Sequence, residues 1–313
     1  MTTAFTFPGQ GSQAVSMGKA LAEAVPAARA VFEEVDAALG QKLSALMWDG
    51  PEAELTLTEN AQPALMAVSL AALRALEAEG VRIGGAVAYV AGHSLGEYSA
   101  LAAAGSLTIA DAARLLKIRG RAMQAAVPVG EGAMAALLGL DFATATEVAA
   151  AAAENEVCQA ANDNADGQVV VSGSKAAVER AVALAKARGA KRAMLLNVSA
   201  PFHCALMQPA ADAMAAALAE VDLKAPIVPL ISNVLAAPIS DPDEIRRRLV
   251  EQVTGTVRWR ESVQWLAANG VTRLVEIGSG KVLTGLVKRI ADGVEGLAVN
   301  TPDDVAKAAA ALA

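Results

Sequence analysis

The five residues Gly92-His93-Ser94-Leu95-Gly96 carry the most specific chemical signal in the chain. They follow an apolar run, Ala86-Val87-Ala88-Tyr89-Val90-Ala91, and lead into a helical pattern from Leu95 to Ala104. A strand, a Gly-x-Ser-x-Gly turn and a helix in that order are the setting of a nucleophile elbow. The glycines permit a sharp turn and close helix–strand packing. The serine hydroxyl then stands at a helix N-terminus, where free N–H groups favour negative charge. The N–H of Leu95 is placed to receive a tetrahedral oxyanion. Such a serine needs a base, and the chain holds only two histidines, His93 and His203. His93 adjoins Ser94, and neighbouring side chains on a tight turn diverge. His203, in Ser199-Ala200-Pro201-Phe202-His203, lies downstream of the serine as in Ser…His hydrolases and is the better candidate. No carboxylate identifies itself as a third member.

Arg119 narrows the chemistry. On a helical wheel Arg114, Lys117 and Arg121 share one side, whereas Arg119 falls among Ala112, Leu115, Leu116 and Met123. An arginine centred on an apolar stripe is costly unless paired, and breaking such a buried pair costs about 3–5 kcal/mol. Its partner is either a protein carboxylate or one carried by a substrate and held by the guanidinium fork. An elbow serine with an inward arginine points to acyl transfer on an acyl group that itself bears a carboxylate. The loop Pro8-Gly9-Gln10-Gly11-Ser12-Gln13 is either a second source of oxyanion N–H groups or a simple strand-to-helix turn. Gly278-Ser279-Gly280-Lys281 fails as a phosphate loop, since Val275 stands where glycine is required and Val282 where Ser or Thr is required.

Composition sets the outer bounds. The 313 residues are 54% apolar, 19% charged and 3% aromatic, with a net charge of −7. That is ample for a buried core, and it argues against nucleic acid as a partner. Cys158 and Cys204 form neither a disulfide framework nor a zinc motif, which suits a reducing cytoplasm. Two histidines exclude a multi-histidine metal centre. No export signal and no membrane span are visible, so no membrane partner is expected.

The elements that must position these residues read as α/β, with short apolar runs alternating with longer helical patterns. Thr3–Phe7 is a first strand, and helices are expected around Ala20–Leu39, Pro63–Glu79 and Asp111–Ala125. From Glu131 the order becomes β-α-β-β-α-β, which fits a ferredoxin-like unit. Its strands read as Ala133–Leu140, Val157–Ala161, Gln168–Ser172 and Arg192–Asn197, with a turn at Asn162–Gly167 and helices at Ala143–Glu154 and Lys175–Arg188. Alternation resumes through Ile227–Ser232, Glu244–Gln252 and Thr272–Ile277, and the alanine-rich tail reads as a surface helix. The expected division is a large domain of residues 1–127 and 199–313 with an insert at 128–198.

Together, the Pro8–Gln13 loop, Gly92-His93-Ser94-Leu95-Gly96-Glu97-Tyr98, Arg119, Ala200-Pro201-Phe202-His203 and Glu276-Ile277-Gly278-Ser279-Gly280-Lys281-Val282-Leu283 resemble the malonyl-CoA:acyl carrier protein transacylases of bacterial fatty-acid synthesis. The match runs in register from Phe5 to about Ile290, and five motifs in order are far more specific than any one. The resemblance implies a hydrolase-like large domain with a mainly parallel sheet and an inserted ferredoxin-like small domain. It implies Ser94 as nucleophile, His203 as base, Gln10 and Leu95 as oxyanion donors, and Arg119 as holder of the malonyl carboxylate. Gln252 matches a residue whose main-chain carbonyl orients the histidine in place of Asp. Phe202 matches a bulky ring that leaves little room for an α-methyl branch. The sequence departs from the pattern at Ser279, where proline is common, and at Ala165-Asp166-Gly167. The implied reaction is ping-pong: malonyl passes from malonyl-CoA to Ser94, then to the phosphopantetheine thiol of acyl carrier protein, with no metal or bound cofactor. A serine esterase or thioesterase using water is the alternative, and a carrier-binding module with a decayed site is a third. Carrier proteins of this kind are acidic and this chain is itself negative, so docking calls for a local basic patch. The candidates are Lys281, Lys288 and Arg289, with Arg188, Lys191 and Arg192 at the end of the insert.

Overall fold

Period-2 and near-continuous apolar runs resolve into two sheets in a computed structural model, which describes residues 1–85 and 87–312. Ten strands occur among the described residues: β1 (Thr2–Phe7), β2 (Val87–Gly92), β3 (Gly132–Leu138), β4 (Cys158–Ala165), β5 (Gln168–Ser174), β6 (Arg192–Leu195), β7 (Leu230–Ser232), β8 (Ala237–Ile239), β9 (Val271–Ile277) and β10 (Glu295–Val299). The larger sheet has the order β10-β9-β1-β2-β7-β8 and is parallel except for β8 at one edge. Helices cover both faces, so β1 at its centre is buried on both sides, with Ala4, Phe5 and Phe7 in the core and Thr3 and Thr6 buried beside them. The smaller sheet is antiparallel in the order β4-β5-β3-β6, the ferredoxin-like arrangement.

Alternation along the strands of the smaller sheet divides its side chains between two cores. Ala135 and Leu137 of β3, with Val169 and Val171 of β5, pack under the helices Phe142–Ala153 and Lys175–Ala187. Met134 and Val170, one residue out of phase, face the large core instead. A second tie joins the two sheets. Val257 donates its N–H to the Ala161 oxygen and accepts the Asp163 N–H, so a segment of the large unit extends the edge of β4. Asp163, wholly buried, takes a bidentate hold on Arg260 at 2.8–3.1 Å.

That tie explains one departure from the sequence reading. The polar run Asn162-Asp163-Asn164, expected in a turn, lies within β4, and the hairpin turns only at Asp166-Gly167. Asp163 and Asn164 tolerate the strand because Arg260 and His93 of the large unit satisfy their side chains. The helix expected over Ala20–Leu39 is two helices, Lys19–Ala24 and Pro26–Leu39. Pro26 holds Val25 extended and starts the second helix at its first turn. The helix expected from Pro63 begins earlier, at Thr58, and runs to Ala78 with Pro63 inside it. Short helices at Leu43–Asp49 and Glu52–Thr56 carry too few turns to show a period. The strand read from Ala86 begins at Val87, Ala86 lying outside the described residues. The tail forms the helix Pro302–Leu312. No helix among the described residues is long and apolar enough to cross a membrane.

Candidate active site

The elbow depends on its glycines through close backbone approach. A Cβ on Gly92 would stand 1.9 Å from the carbonyl carbon of Gly96, and one on Gly96 would stand 2.3 Å from the Phe7 oxygen. No side chain fits between β2 and the helix Gly96–Ala103 that follows it. Ser94 is held at φ +53°, a left-handed conformation that costs a non-glycine residue of order 1 kcal/mol or more. Asn233 fixes it there: its Oδ1 accepts the Ser94 N–H at 2.8 Å and its Nδ2 donates to the Gly92 oxygen at 2.7 Å. His203 has the same kind of strain, at φ +59°.

The two strained residues meet. Ser94 Oγ lies 2.8 Å from His203 Nε2, and His203 Nδ1 lies 2.8 Å from the main-chain oxygen of Gln252. A carbonyl only accepts, so Nδ1 carries the proton and Nε2 is left bare to accept the serine hydroxyl. Burial first, and the Arg119 cation second, push His203 down to about 3, so the ring is neutral. His93 turns the other way, to Asn164 Oδ1 at 2.8 Å and the ring of Trp259. Burial lowers its basicity, which Asn164 partly restores.

Arg119 is 2% exposed and lies on the inner face of the helix Ile109–Ala126. Its guanidinium donates to Gln62 Oε1 at 2.7 Å, to Gln252 Oε1 at 2.8 Å and to Ser94 Oγ at 3.1 Å. It stands 5.8 Å from the centre of the Tyr98 ring, and its Nε has no partner among the described residues. Of the two partners open from sequence, a protein carboxylate is not the one found: no ion pair to Arg119 occurs among the described residues. The nearby Glu97 is raised to about 8 by burial, against the opposing hydrogen bonds of Asn233 and Gln252 and the Arg119 charge. Lys117, read from the wheel as outward with Arg114 and Arg121, is instead buried against Asn60, Gln41 and Glu59.

A cavity of about 360 Å³ opens over this cluster. Gln10, Leu95, Arg119, Phe202 and His203 border it from the large unit, and Met134, Asn162, Asn164 and Val170 from the smaller sheet. The N–H groups of Gln10 and Leu95 make no hydrogen bond among the described residues, whereas those of Ser94, Gly96, Glu97 and Tyr98 are engaged. The structure therefore gathers Ser94, His203, Gln10, Leu95, Arg119 and Phe202 around one space, with the Gln252 carbonyl behind it on His203. The six basic candidates do not border it. Arg289 donates to Gln168 and to the Asp166 oxygen, and the Gly167 oxygen holds Gly139, against which Lys191 packs. Arg289 and Lys191 thus converge on the β4–β5 hairpin, and Arg188 pairs with Glu147. The Gly278–Gly280 segment serves the first loop: Ser279 Oγ donates to the Ser12 oxygen at 2.7 Å, and Glu276 caps the helix Val282–Ile290.

Sequence reading missed Gln62, Thr58, Asn233 and the Gln252 side chain. Each is an uncharged polar residue with no motif spacing, and only burial distinguishes it.

Comparison with known proteins agrees with this geometry. The acyl transferase domain family matches residues 4–305. The malonyl CoA-acyl carrier protein transacylase of Escherichia coli K12 is 50% identical over 305 residues, 97% of this chain and 98% of the relative. The crystal structure of an acyl-carrier-protein-S-malonyltransferase from Bartonella henselae superposes with a TM-score of 0.97 at 59% identity, covering 100% and 99% of the two chains. A malonyl-transacylase solved in complex with a type II PKS acyl-carrier protein gives a TM-score of 0.96 at 44% identity, covering 99% and 100%. With the fold, the full-length identity and the elbow all in agreement, the chain belongs to the malonyl CoA-acyl carrier protein transacylase family of acyl transferases.

Proposed function

We propose that the chain transfers malonyl from CoA to the phosphopantetheine thiol of acyl carrier protein through a malonyl ester on Ser94. The observation that carries this reading is the buried Arg119 guanidinium, 3.1 Å from Ser94 Oγ and without a carboxylate partner among the described residues. A cation so placed calls for an anion from outside. In a malonyl thioester the carboxyl carbon lies about 2.5 Å from the reacting carbonyl carbon, two C–C bonds away. An anchor this close to the nucleophile suits a three-carbon acyl group.

In the first half-reaction His203 Nε2 takes the Ser94 proton as Oγ attacks the thioester carbonyl. The oxyanion is received by the Leu95 and Gln10 N–H groups, and collapse releases the CoA thiolate, which His203 protonates. The carrier thiol then attacks the ester by the same steps, with His203 as its base. The Gln252 carbonyl keeps Nδ1–H in place and steadies the transient imidazolium, the task an aspartate performs in other triads. Arg119 adds selectivity to this base. Its charge is one of the causes that hold His203 down. A malonyl carboxylate paired with Arg119 offsets that charge and returns basicity to His203, whereas a neutral acyl group does not. Phe202 narrows the space where an α-branch would lie.

The esterase reading leaves the Arg119 charge unexplained, and a decayed module would have no reason to keep a strained Ser94–His203 pair. In the proposed scheme residues 1–127 with 199–313 do the chemistry, and the insert at 128–198, supported by its separate core, walls the cavity. An acidic carrier docks at the hairpin where Arg289 and Lys191 converge, with Lys288 beside it, in a cytoplasmic setting that keeps Cys158 and Cys204 as thiols. The test is intact-mass analysis after malonyl-CoA is added without carrier. One malonyl group per chain is expected, stable until holo-carrier arrives, and none on Ser94→Ala. Continuous CoA release without carrier, or a normal adduct on Ser94→Ala, would overturn the scheme.

A further inference from the structure

Between Arg119 and the first loop runs a chain of buried polar side chains that the mechanism above does not use. Arg119 Nη1 donates to Gln62 Oε1 at 2.7 Å. Gln62 Nε2 donates to Thr58 Oγ1 at 2.9 Å, and Thr58 Oγ1 lies 2.9 Å from Gln10 Oε1. Its direction is fixed from the charged end. Guanidinium has no acceptor, so the amide of Gln62 must turn its oxygen to Arg119 and its nitrogen to Thr58. Thr58 accepts that bond, and its single proton is then committed to Gln10 Oε1. Three hydrogen bonds of one polarity reinforce one another in a buried setting.

The backbone holds this chain as tightly as the side chains do. A Cβ on Gly120 would meet Glu59 Cα at 2.5 Å and the Thr58 oxygen at 2.6 Å. The helix that carries Arg119 therefore touches, backbone to backbone, the first turn of the helix that carries Thr58 and Gln62. Thr58 itself is 0% exposed. Gln10 is the one member of the chain on a loop. That loop contains Gly11 at φ +114° and has, among the described residues, only one other side-chain hydrogen bond from outside itself, Ser279 on Ser12. The bond to Thr58 is the one side-chain hydrogen bond that Gln10 makes among the described residues.

We infer that Thr58 is a positioning residue which, backed by Gln62 and Arg119, holds the Gln10 loop so that its N–H is presented to the oxyanion. This rests on the proposed role of the Gln10 N–H. The tie acts on the oxyanion, which every acyl group forms, and not on the carboxylate, which only malonyl carries.

The test measures single-turnover acylation of Ser94 by malonyl-CoA and by acetyl-CoA in Thr58→Val, Thr58→Ser, Gln10→Met and the Thr58→Val/Gln10→Met double variant. Thr58→Val should lower kcat roughly 10-fold or more, below the 10²–10³ that follows loss of an oxyanion donor itself. The loss should be equal for both acyl groups, with KM for malonyl-CoA within about twofold, and Thr58→Ser should restore the rate. Gln10→Met cuts the same bond from the half-buried loop end and keeps the N–H, so it remains informative if Thr58→Val misfolds. It should match Thr58→Val, and the double variant should lose no more than either alone. A wild-type rate in Thr58→Val and Gln10→Met, additive losses in the double variant, or a loss confined to malonyl would overturn the inference. A wild-type protein that forms no acyl-enzyme would instead overturn the reading on which it rests.

Discussion

The two sheets border one cavity but bring different kinds of residue to it. The unit built on the parallel sheet contributes a strained serine and a strained histidine from its loops and a buried arginine from the middle of the helix Ile109–Ala126, each locked by neighbours. The antiparallel sheet contributes Met134, Asn162, Asn164 and Val170, with no group that titrates near neutrality. Parallel strands end together at one edge of their sheet, and loops from several of them converge there. The elbow after β2, the loop after β1 and Asn233 after β7 are all such loop positions. An antiparallel sheet has no such edge and instead presents a face, which makes a wall. Catalysis and shape are thereby assigned to separate parts of the chain, and substitutions in each should fail in different ways.

The largest effect should come from His203. His203→Ala should slow acylation by roughly 10²–10⁴, the range for loss of a general base, with thermal stability little changed. The wild-type acylation rate should also stay flat as pH falls through 6.5, because His203 is held down to about 3 and remains an unprotonated base. The same depression means that unfolded chains take up a proton below 6.5 that the folded chain refuses, so stability should fall as pH drops from 6.5 toward 3. A stopped-flow pH series on the malonyl-CoA half-reaction checks the first point and pH-dependent thermal melts the second. Asp163→Asn should show the opposite profile. It breaks the bidentate pair that ties β4 to Arg260, and melting should report a loss of about 2–3 kcal/mol, below the fully buried range because Arg260 keeps 21% of its side chain exposed. Acylation should change only a few-fold, since no reacting group moves.

The same contrast explains what the sequence made legible. The elbow could be read because Gly92, Ser94 and Gly96 must be adjacent in the chain for the turn to exist. Arg119 could be read because a charge on an apolar stripe violates the helical period. The smaller sheet could be read because its β-α-β-β-α-β order is local. Its polar strand residues could not: Asn162, Asp163 and Asn164 look like a turn until Arg260, His93 and Val257 are in place, and those partners lie 71 to 97 residues away where side chains bond. Gln62, Asn233 and the Gln252 side chain were hidden for the same reason. The Gln252 carbonyl came from family resemblance alone, because any residue has one. The six basic residues were read as two groups, and only the hairpin brings Arg289 and Lys191 together.

The central claim is that Arg119 is kept buried and free of carboxylates for the sake of the acyl group, and the most direct measurement is acylation of Arg119→Ala by malonyl-CoA and acetyl-CoA side by side. Removing a charge-assisted clamp worth about 3 kcal/mol should slow malonyl acylation by roughly 10²-fold. Acetyl acylation should change by much less, or improve, because an unpaired cation no longer opposes a neutral group or holds His203 down. Equal losses for both acyl groups would mean that Arg119 only supports the fold around Ser94, and would contradict the account.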